Sequence, residues 1–251
     1  MSGQAPSSRA KLSLIIPVYN ERATVRTLLD QVLALDIPGV EKEILIVEGR
    51  STDGTRDIVA EYAKRPGVRV LYEEAPRGKG AAVALGLKEI TGDILLIQDG
   101  DLEYSVSDYP KLLAPLQDGR ADVVFGSRVL DSPQHWQFRR FGGLERLYGL
   151  IINLGGVFFT GLFNLLYGTR LSDGATMFKL FKTEHLRGLA LKSRGFDYDW
   201  EMSAKLAKKG CRFAEVPVLY KARSRAEGKK IRFWRDGWRV FAAIVRYRFV
   251  N

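Results

Sequence analysis

Two carboxylates flanking a glycine, Asp99-Gly100-Asp101, stand at the end of the apolar run Ile94-Leu95-Leu96-Ile97. Carboxylate oxygens so placed are hard ligands that suit Mg²⁺ or Mn²⁺. A cation held by one or two carboxylates shares its remaining positions with water and substrate phosphates. The same three residues favour turns, so the triplet alone reads equally well as a reversal of the chain. Two large nucleotide-binding classes are absent. No Gly-x-Gly-x-x-Gly follows the first apolar run, and no Gly-x-x-x-x-Gly-Lys-[Ser/Thr] occurs anywhere.

The elements that must position Asp99 and Asp101 are legible from periodicity. Ile94 to Ile97 is apolar at consecutive positions, as in a buried strand of a mostly parallel sheet, and ligands bind at the carboxyl ends of such strands. Before it, strands are expected at 12–18, 43–47 and 68–72. Helices are expected from about Glu21 to Leu35, from Arg56 to Lys64, and from Arg77-Gly78-Lys79-Gly80 through Glu89. The alternation implies βαβ units. Further on, the pattern predicts a helix near 107–117 and strands at 122–125, 175–181 and 211–219. It also predicts a basic helix from Trp200 to Lys209. Leu147 to Thr169 carries no charge. Trp234, Trp238, Phe241, Val245 and Phe249 recur at helical spacing.

At 251 residues and 46% hydrophobic, the chain can build one sizeable α/β core. Its single cysteine, Cys211, excludes an intrachain disulfide and fits a reducing compartment. His135 and His185 form no ligand pattern with it and are expected at the surface. Residues 1–10 show no signal-peptide pattern and are expected to be disordered. The net charge of +10 is concentrated. From Tyr220 to Asn251 ten Lys or Arg face only Glu227 and Asp236, so this tail carries +8 of it. Such a tail suggests an anionic partner.

Five segments taken together resemble the family 2 glycosyltransferases of GT-A fold. They are Pro17-Val18-Tyr19-Asn20-Glu21, Ser51-Thr52-Asp53-Gly54-Thr55, Gly78-Lys79-Gly80, Asp99-Gly100-Asp101 and Gly126-Ser127-Arg128, in the family's order and approximate spacing. Asp173, the stretch Phe196 to Met202 and the segment Arg223 to Lys229 resemble the polyprenyl-phosphate branch, which includes dolichol-phosphate mannose synthases. The resemblance runs from about Leu12 to Ile231. It implies a GT-A domain over 11–231, with a Rossmann-like, mostly parallel sheet. A nucleotide-sugar half would occupy 11–128, and an acceptor half with interfacial helices at 144–169 would occupy 129–231. A basic amphipathic helix would follow at 232–251. It also implies an inverting hexose transfer from a GDP- or UDP-sugar to a polyprenyl phosphate.

On the same resemblance, the base and ribose lie near Pro17, Tyr19, Glu21 and the end of the second strand. The diphosphate sits on Mg²⁺ or Mn²⁺ held by Asp99 and Asp101, with Gly100 between them. Asp53 and Lys79 belong to the donor side. Arg128, Arg223 and Lys229 offset the charge of the leaving group. One departure stands out. Where the family usually has Asp-Asp-Gly before Ser-x-Asp, this chain has Glu48-Gly49-Arg50. The position that commonly contacts the nucleobase is Gly49. Glu48, with its longer side chain, is expected to reach the same edge, or Arg50 to contact the donor or its ribose, and the choice between GDP and UDP stays open.

A lipid-phosphate acceptor is already ionised near neutral pH and needs no base. A sugar or protein hydroxyl would need one, for which Asp173 is the first candidate and Glu201 the second. The uncharged section 147–169 is long enough to span a bilayer. A single crossing would part Asp99 from Arg223, so a broken pair of helices in the membrane surface is expected. The C-terminal helix would be a second anchor. The enzyme would then be cytoplasmic, peripheral on the cytoplasmic face of an anionic membrane. The alternative is that both segments pack on the domain or in a homo-oligomer. A non-catalytic nucleic-acid binder using the basic tail would leave Asp99 and Asp101 unexplained.

Overall fold

The computed structural model describes residues 9–132, 134, 136–139, 145–223 and 233–250. Lys229, His135 and residues 1–8 therefore lie outside the described residues. The strands are β1 (Ala10–Val18), β2 (Val40–Glu48), β3 (Val68–Tyr72), β4 (Ile94–Ile97), β5 (Val123–Ser127), β6 (Lys179–Lys182) and β7 (Phe213–Pro217). The helices are α1 (Val25–Ala34), α2 (Thr55–Tyr62), α3 (Lys79–Gly86), α4 (Tyr109–Gln117), α5 (Glu145–Tyr167), α6 (Tyr198–Lys208) and α7 (Phe233–Phe249).

One sheet runs in the order β3-β2-β1-β4-β6-β5-β7. Pairing is parallel except where β6 lies antiparallel between β4 and β5. Successive side chains of a strand point to opposite faces, and the two faces meet different helices. Leu12, Leu14 and Ile16 of β1 join Leu96 of β4 in a core with Leu28 and Val32 of α1 and Leu112 of α4. Ile15, Leu95 and Ile97 face the other way, onto Val83 of α3, Met202 of α6 and Ile244 of α7. Burial on both faces explains the unbroken apolar runs.

The α1 helix begins four residues later than its apolar pattern suggests. Asn20 adopts a left-handed φ of 50°. Its amide donates to Ser51 Oγ (2.9 Å) and its side-chain oxygen accepts from the Thr52 amide (2.8 Å). The Glu21 amide donates to Thr55 Oγ1 (2.9 Å). The loop after β1 is thereby tied to the loop after β2, and Glu21 is kept out of the helix. Thr24 Oγ1 then donates to the Gly100 carbonyl (3.0 Å), fixing the carboxylate turn against the start of α1.

Two expectations need correction. The uncharged section is one continuous helix, α5, not a broken pair. Its interior polar residues make contacts rather than breaks. Asn153 accepts from the Arg139 amide and donates to its carbonyl (3.1 and 2.9 Å), and Asn164 brackets Leu171 in the same way (2.9 and 2.8 Å). The strand expected at 175–181 begins only at Lys179, because the chain turns at Asp173–Thr176, where the Thr176 amide donates to the Asp173 carbonyl (3.3 Å).

Beneath the sheet's opposite end, Glu43 joins β2 to β1 and to the turn before β4. Ser13 Oγ donates to it, as do the amide and hydroxyl of Thr91 (2.6 and 2.8 Å). Burial alone would raise its pKa, but these bonds and Lys11 outweigh burial and hold it at about 2, against a usual 4.5. A depressed carboxylate contributes stability above its unfolded pKa and loses it as pH falls through the folded value. Unfolding free energy from urea titrations should therefore decline between about pH 4.5 and 2. Glu43→Gln should lower stability by about 1–3 kcal/mol at pH 7 and flatten that decline. An unchanged slope in the variant would assign the acid sensitivity elsewhere.

Candidate active site

The loops at the carboxyl ends of β1, β2, β3 and β4 form one wall of a cleft of about 760 Å³. Asp99 and Asp101 lie on its floor, directly after β4. Asp99 pairs with Lys79, the first residue of α3. Gly78 and Gly80 make that position possible. Gly78 has φ +98°, and a Cβ on Gly78 or Gly80 would fall 2.5 Å from the carbonyl of Arg194 or Ser193. The segment docks tightly on the 193–195 loop, and Lys79 is delivered to Asp99.

Asp101 is 6% exposed. Burial pushes its carboxyl up to about 6, helped by Asp99 and Glu103 and opposed by Arg223. Arg223 is the main countercharge. Its guanidinium donates to Glu21 (2.9 Å) and to Asp101 (2.5 Å), and its amide donates to Glu103 (2.8 Å). Among the described residues no three His, Cys, Asp or Glu side chains form a group able to hold a metal. Two carboxylates suffice when the cation shares phosphates and water. An all-oxygen donor pair, with a buried carboxyl strained by like charge, fits a divalent cation.

Elsewhere in the cleft, Arg128 follows β5 and is locked by Asp173. Its Nε and Nη2 donate to the two carboxylate oxygens at 2.7 Å each, and its amide adds a third bond at 3.0 Å. Its guanidinium lies 3.8 Å from the ring centroid of Phe138. Both partners are almost fully buried. The Asp173 carboxylate is thus committed to Arg128. Glu201 is fully buried away from the cleft, accepting from Lys192, Ser193 and Lys205. Beside Arg128, Arg139 is 4% exposed and donates to Tyr220 Oη (3.0 Å). Its Nε and Nη1 have no hydrogen-bond partner among the described residues. No motif marked Arg139. Its only sequence signal was an Arg after an aromatic, Phe138.

Pro17, Tyr19, Glu21, Lys79, Asp99, Gly100, Asp101, Arg128 and Arg223 all line the cleft. Glu48, Arg50 and Asp53 do not, and Asp173 stands behind Arg128. Glu48 turns under the loop, accepting from the Ser51 amide (2.6 Å) and facing Arg56 (3.6 Å). Arg50 donates to the Glu74 carbonyl (2.7 Å). Asp53 accepts from the Arg22 and Thr55 amides (3.1 and 3.0 Å) at the start of α2. These three shape the loop wall from behind. Glu73, which follows β3, is the carboxylate that lines the cleft next to Gly49. Burial raises its pKa, and Arg77 (3.3 Å) opposes the shift.

The other wall comes from α5 and α7. Gly155, Gly156 and Phe159 of α5, Trp200 of α6 and Val240 of α7 line it. The outer face of α5 exposes Leu147, Leu154, Phe158 and Leu165, and α7 exposes Trp238 and Phe249. By length and composition, α5 is long and apolar enough to cross a membrane.

A family model described as Glycosyl transferase family 2 matches residues 13–186. The chain is 28% identical over 221 residues to a dolichol-phosphate mannosyltransferase of Pyrococcus furiosus, covering 87% of this chain and 59% of that protein. It is likewise 28% identical over 221 residues to an undecaprenyl-phosphate 4-deoxy-4-formamido-L-arabinose transferase of Edwardsiella ictaluri, covering 87% and 62%. The chain thus spans about three-fifths of the length of these relatives. The GT-A fold is shared with glucosyl-3-phosphoglycerate synthase of Mycobacterium tuberculosis, solved with Mn²⁺, UDP and phosphoglyceric acid. That likeness has a TM-score of 0.69 at 18% identity and covers 96% of this chain and 80% of the other.

The Arg128–Asp173 pair yields a stability test. Removing one partner of a buried ion pair leaves the other charge uncompensated, at a cost of about 3–5 kcal/mol. Asp173→Ala should lower unfolding free energy by that order, measured by denaturant titration. A loss near zero would mean that the pair is not locked.

Proposed function

This chain belongs to glycosyl transferase family 2, and we propose that it moves a hexose from a nucleotide-sugar donor to a polyprenyl phosphate, with inversion, at a membrane surface. The observation that carries this reading is a pair of phosphate-ready centres in one cleft. Asp99 and Asp101 with Lys79 and Arg223 form one. Arg128 and Arg139 form the other, where two guanidinium nitrogens of Arg139 are buried without a partner among the described residues. A buried unpaired donor on a cation is costly unless a ligand satisfies it. An anionic acceptor head group does so.

On this reading the nucleoside lies across the ends of β1 and β2, over Pro17 and Tyr19. Asp99 and Asp101 would hold a Mg²⁺ or Mn²⁺ ion, which when bound neutralises charge on the departing diphosphate. Arg223 and Lys79 lie close enough to donate to the same oxygens. Lys229 belongs to the same basic segment and is proposed to act with Arg223. Arg128, fixed by Asp173, presents a rigid guanidinium, and Arg139 supplies beside it two donors with no partner among the described residues. Together they hold the acceptor phosphate so that its oxygen faces the anomeric carbon. That oxygen is already ionised near neutral pH, so no base is required. The commitment of Asp173 to Arg128 favours this reading over a hydroxyl acceptor.

The polyprenyl chain would run along the wall built by Gly155, Gly156, Phe159 and Val240. The exposed apolar face of α5 and the Trp/Arg pattern of α7 would rest in the interface of the cytoplasmic leaflet. The buried side of α7, with Ala243, Ile244 and Tyr247 in the core, would hold the domain against that surface.

A transfer assay with radiolabelled nucleotide-sugars and a short polyprenyl phosphate tests the chemistry. Product should partition into organic solvent. Asp101→Asn should cut kcat by on the order of 100-fold or more, and chelator should do likewise. Arg139→Gln should raise KM for the lipid phosphate about tenfold while leaving nucleotide binding unchanged. Label that stays in the aqueous phase, or full activity in Asp101→Asn, would refute the reading. For the surface contact, Trp238→Glu combined with Phe249→Glu should reduce cosedimentation with anionic vesicles. Equal binding by the variant would place the contact elsewhere.

A further inference from the structure

Glu73 has no part in that transfer, yet it is a buried carboxylate facing the donor end of the cleft. It is 4% exposed. Its amide is fixed to the Glu48 carbonyl (2.9 Å), and Arg77 approaches Oε1 (3.3 Å). Oε2 has no hydrogen-bond partner among the described residues. It lies instead beside Gly49, 3.5 Å from where a Cβ on that residue would stand. Tyr19 Cβ would also lie 3.5 Å from that added Cβ.

Nothing in the backbone demands glycine at position 49. Its φ is not in the left-handed region, and an added Cβ would meet its neighbours at 3.4–3.5 Å, ordinary contact. What the glycine does is keep the floor bare between Tyr19 and Glu73. A flat group can enter that slot and meet Oε2 edge on.

The sheet order says which part of a ligand arrives there. Asp99 and Asp101 follow β4, and Glu73 follows β3, three strands away in the order β3-β2-β1-β4. At about 4.8 Å per strand the separation is roughly 14 Å. On that reading a diphosphate anchored at β4 would carry its nucleoside across the ends of β1 and β2, with the far edge of the base reaching the end of β3.

Resting on the nucleotide-sugar reading above, we propose that Glu73 reads the Watson–Crick edge of a guanine, which makes the donor a guanosine diphosphate sugar. A carboxylate offers two acceptors side by side and no donor. Guanine is the common base with two adjacent donors on that edge, N1–H and the 2-amino group. Uracil offers one N3–H between two carbonyls, so the second carboxylate oxygen would face a carbonyl. Adenine and cytosine each place one amino donor next to a ring acceptor. A buried site built to hydrogen-bond one partner rejects analogues that leave its polar atoms unpaired.

Titration calorimetry in saturating Mn²⁺ with GDP, UDP and inosine diphosphate tests this on the intact chain. GDP should bind about 10–100-fold tighter than UDP, and inosine diphosphate, which lacks only the 2-amino group, should fall about tenfold below GDP. Glu73→Gln, with an unchanged circular dichroism spectrum, should weaken GDP on the order of tenfold or more and abolish its advantage over inosine diphosphate, with UDP changed far less. UDP binding as tight as GDP, inosine diphosphate equal to GDP in the unaltered chain, or equal losses of GDP and UDP in Glu73→Gln would each overturn the assignment. A chain that binds UDP well and GDP poorly keeps the nucleotide-sugar reading and loses only this one. A chain that binds no nucleoside diphosphate loses both.

Discussion

Glu21, Asp101 and Glu103 surround the single guanidinium of Arg223, and Asp99 beside them faces Lys79. Carboxylates gathered at one place are stable only while cations answer them. Arg223 and Lys79 do so from opposite directions, and each belongs to a segment that something else must hold. Lys79 is held by the close docking of Gly78 and Gly80 on the 193–195 loop. Arg223 is held because the strand leading to it bridges at Tyr220 to Tyr104 and the Lys221 amide bonds the Glu103 carbonyl (2.8 Å). The loops after β1 and β4 are therefore joined through charge to the segment that follows β7.

A second ionic layer runs below the first. Lys179 is fully buried between Asp199, the Gly174 carbonyl and Ser203, with the Phe125 ring 4.2 Å away. Burial lowers its pKa, and Asp199 opposes that shift. Buried pairs of this kind seldom add net stability over an apolar packing of equal volume. Their use lies in position. Lys179 bonds the carbonyl of Gly174, the residue after Asp173, and Asp173 holds Arg128. The turn that interrupts the expected strand at Asp173–Thr176 is thus pinned on both sides. The geometry of Arg128 thus depends in part on side chains, Asp173 and Lys179, that do not line the cleft.

How much of this could be read from the chain depended on whether the cause was local. The alternation of strands and helices was legible because β1, β2 and β4 are buried on both faces and leave continuous apolar runs. Asp99 and Asp101 were legible because they terminate such a run. Glu21 was legible as part of the loop after β1, but its release from α1 was not, because Ser51, Thr52 and Thr55 cause it from about thirty residues away. The gap at Glu48-Gly49-Arg50 was visible as a departure. The residue beside it was not, because Glu73 arrives through the pairing of β3 on β2, in which Glu48 stands opposite Tyr72. Arg139 was invisible for a similar reason. Beyond the adjacent Phe138, its environment is made by Asn153 and Tyr220, which only the fold brings to it. The continuity of α5 was misread because Gly and Asn look like interruptions in a sequence, whereas here Asn153, Gly156 and Asn164 mark contacts.

Those small residues show how the cleft gets its shape. Gly156 leaves α5 flat enough for Phe138, whose ring would lie 2.8 Å from an added Cβ. Phe138 in turn supports Arg128. Gly80 admits Tyr198 at 2.7 Å from the same imagined position, and so fixes the start of α3 that carries Lys79. At these two positions a side chain would displace a neighbour that holds a cation in place. At Gly49 nothing would clash, and the absent side chain leaves Glu73 accessible instead. The distinction separates the two uses of glycine in one cleft. A glycine at which Cβ is sterically forbidden serves packing. One at which Cβ is permitted, next to a buried acceptor with no partner among the described residues, leaves room for something the chain itself does not supply.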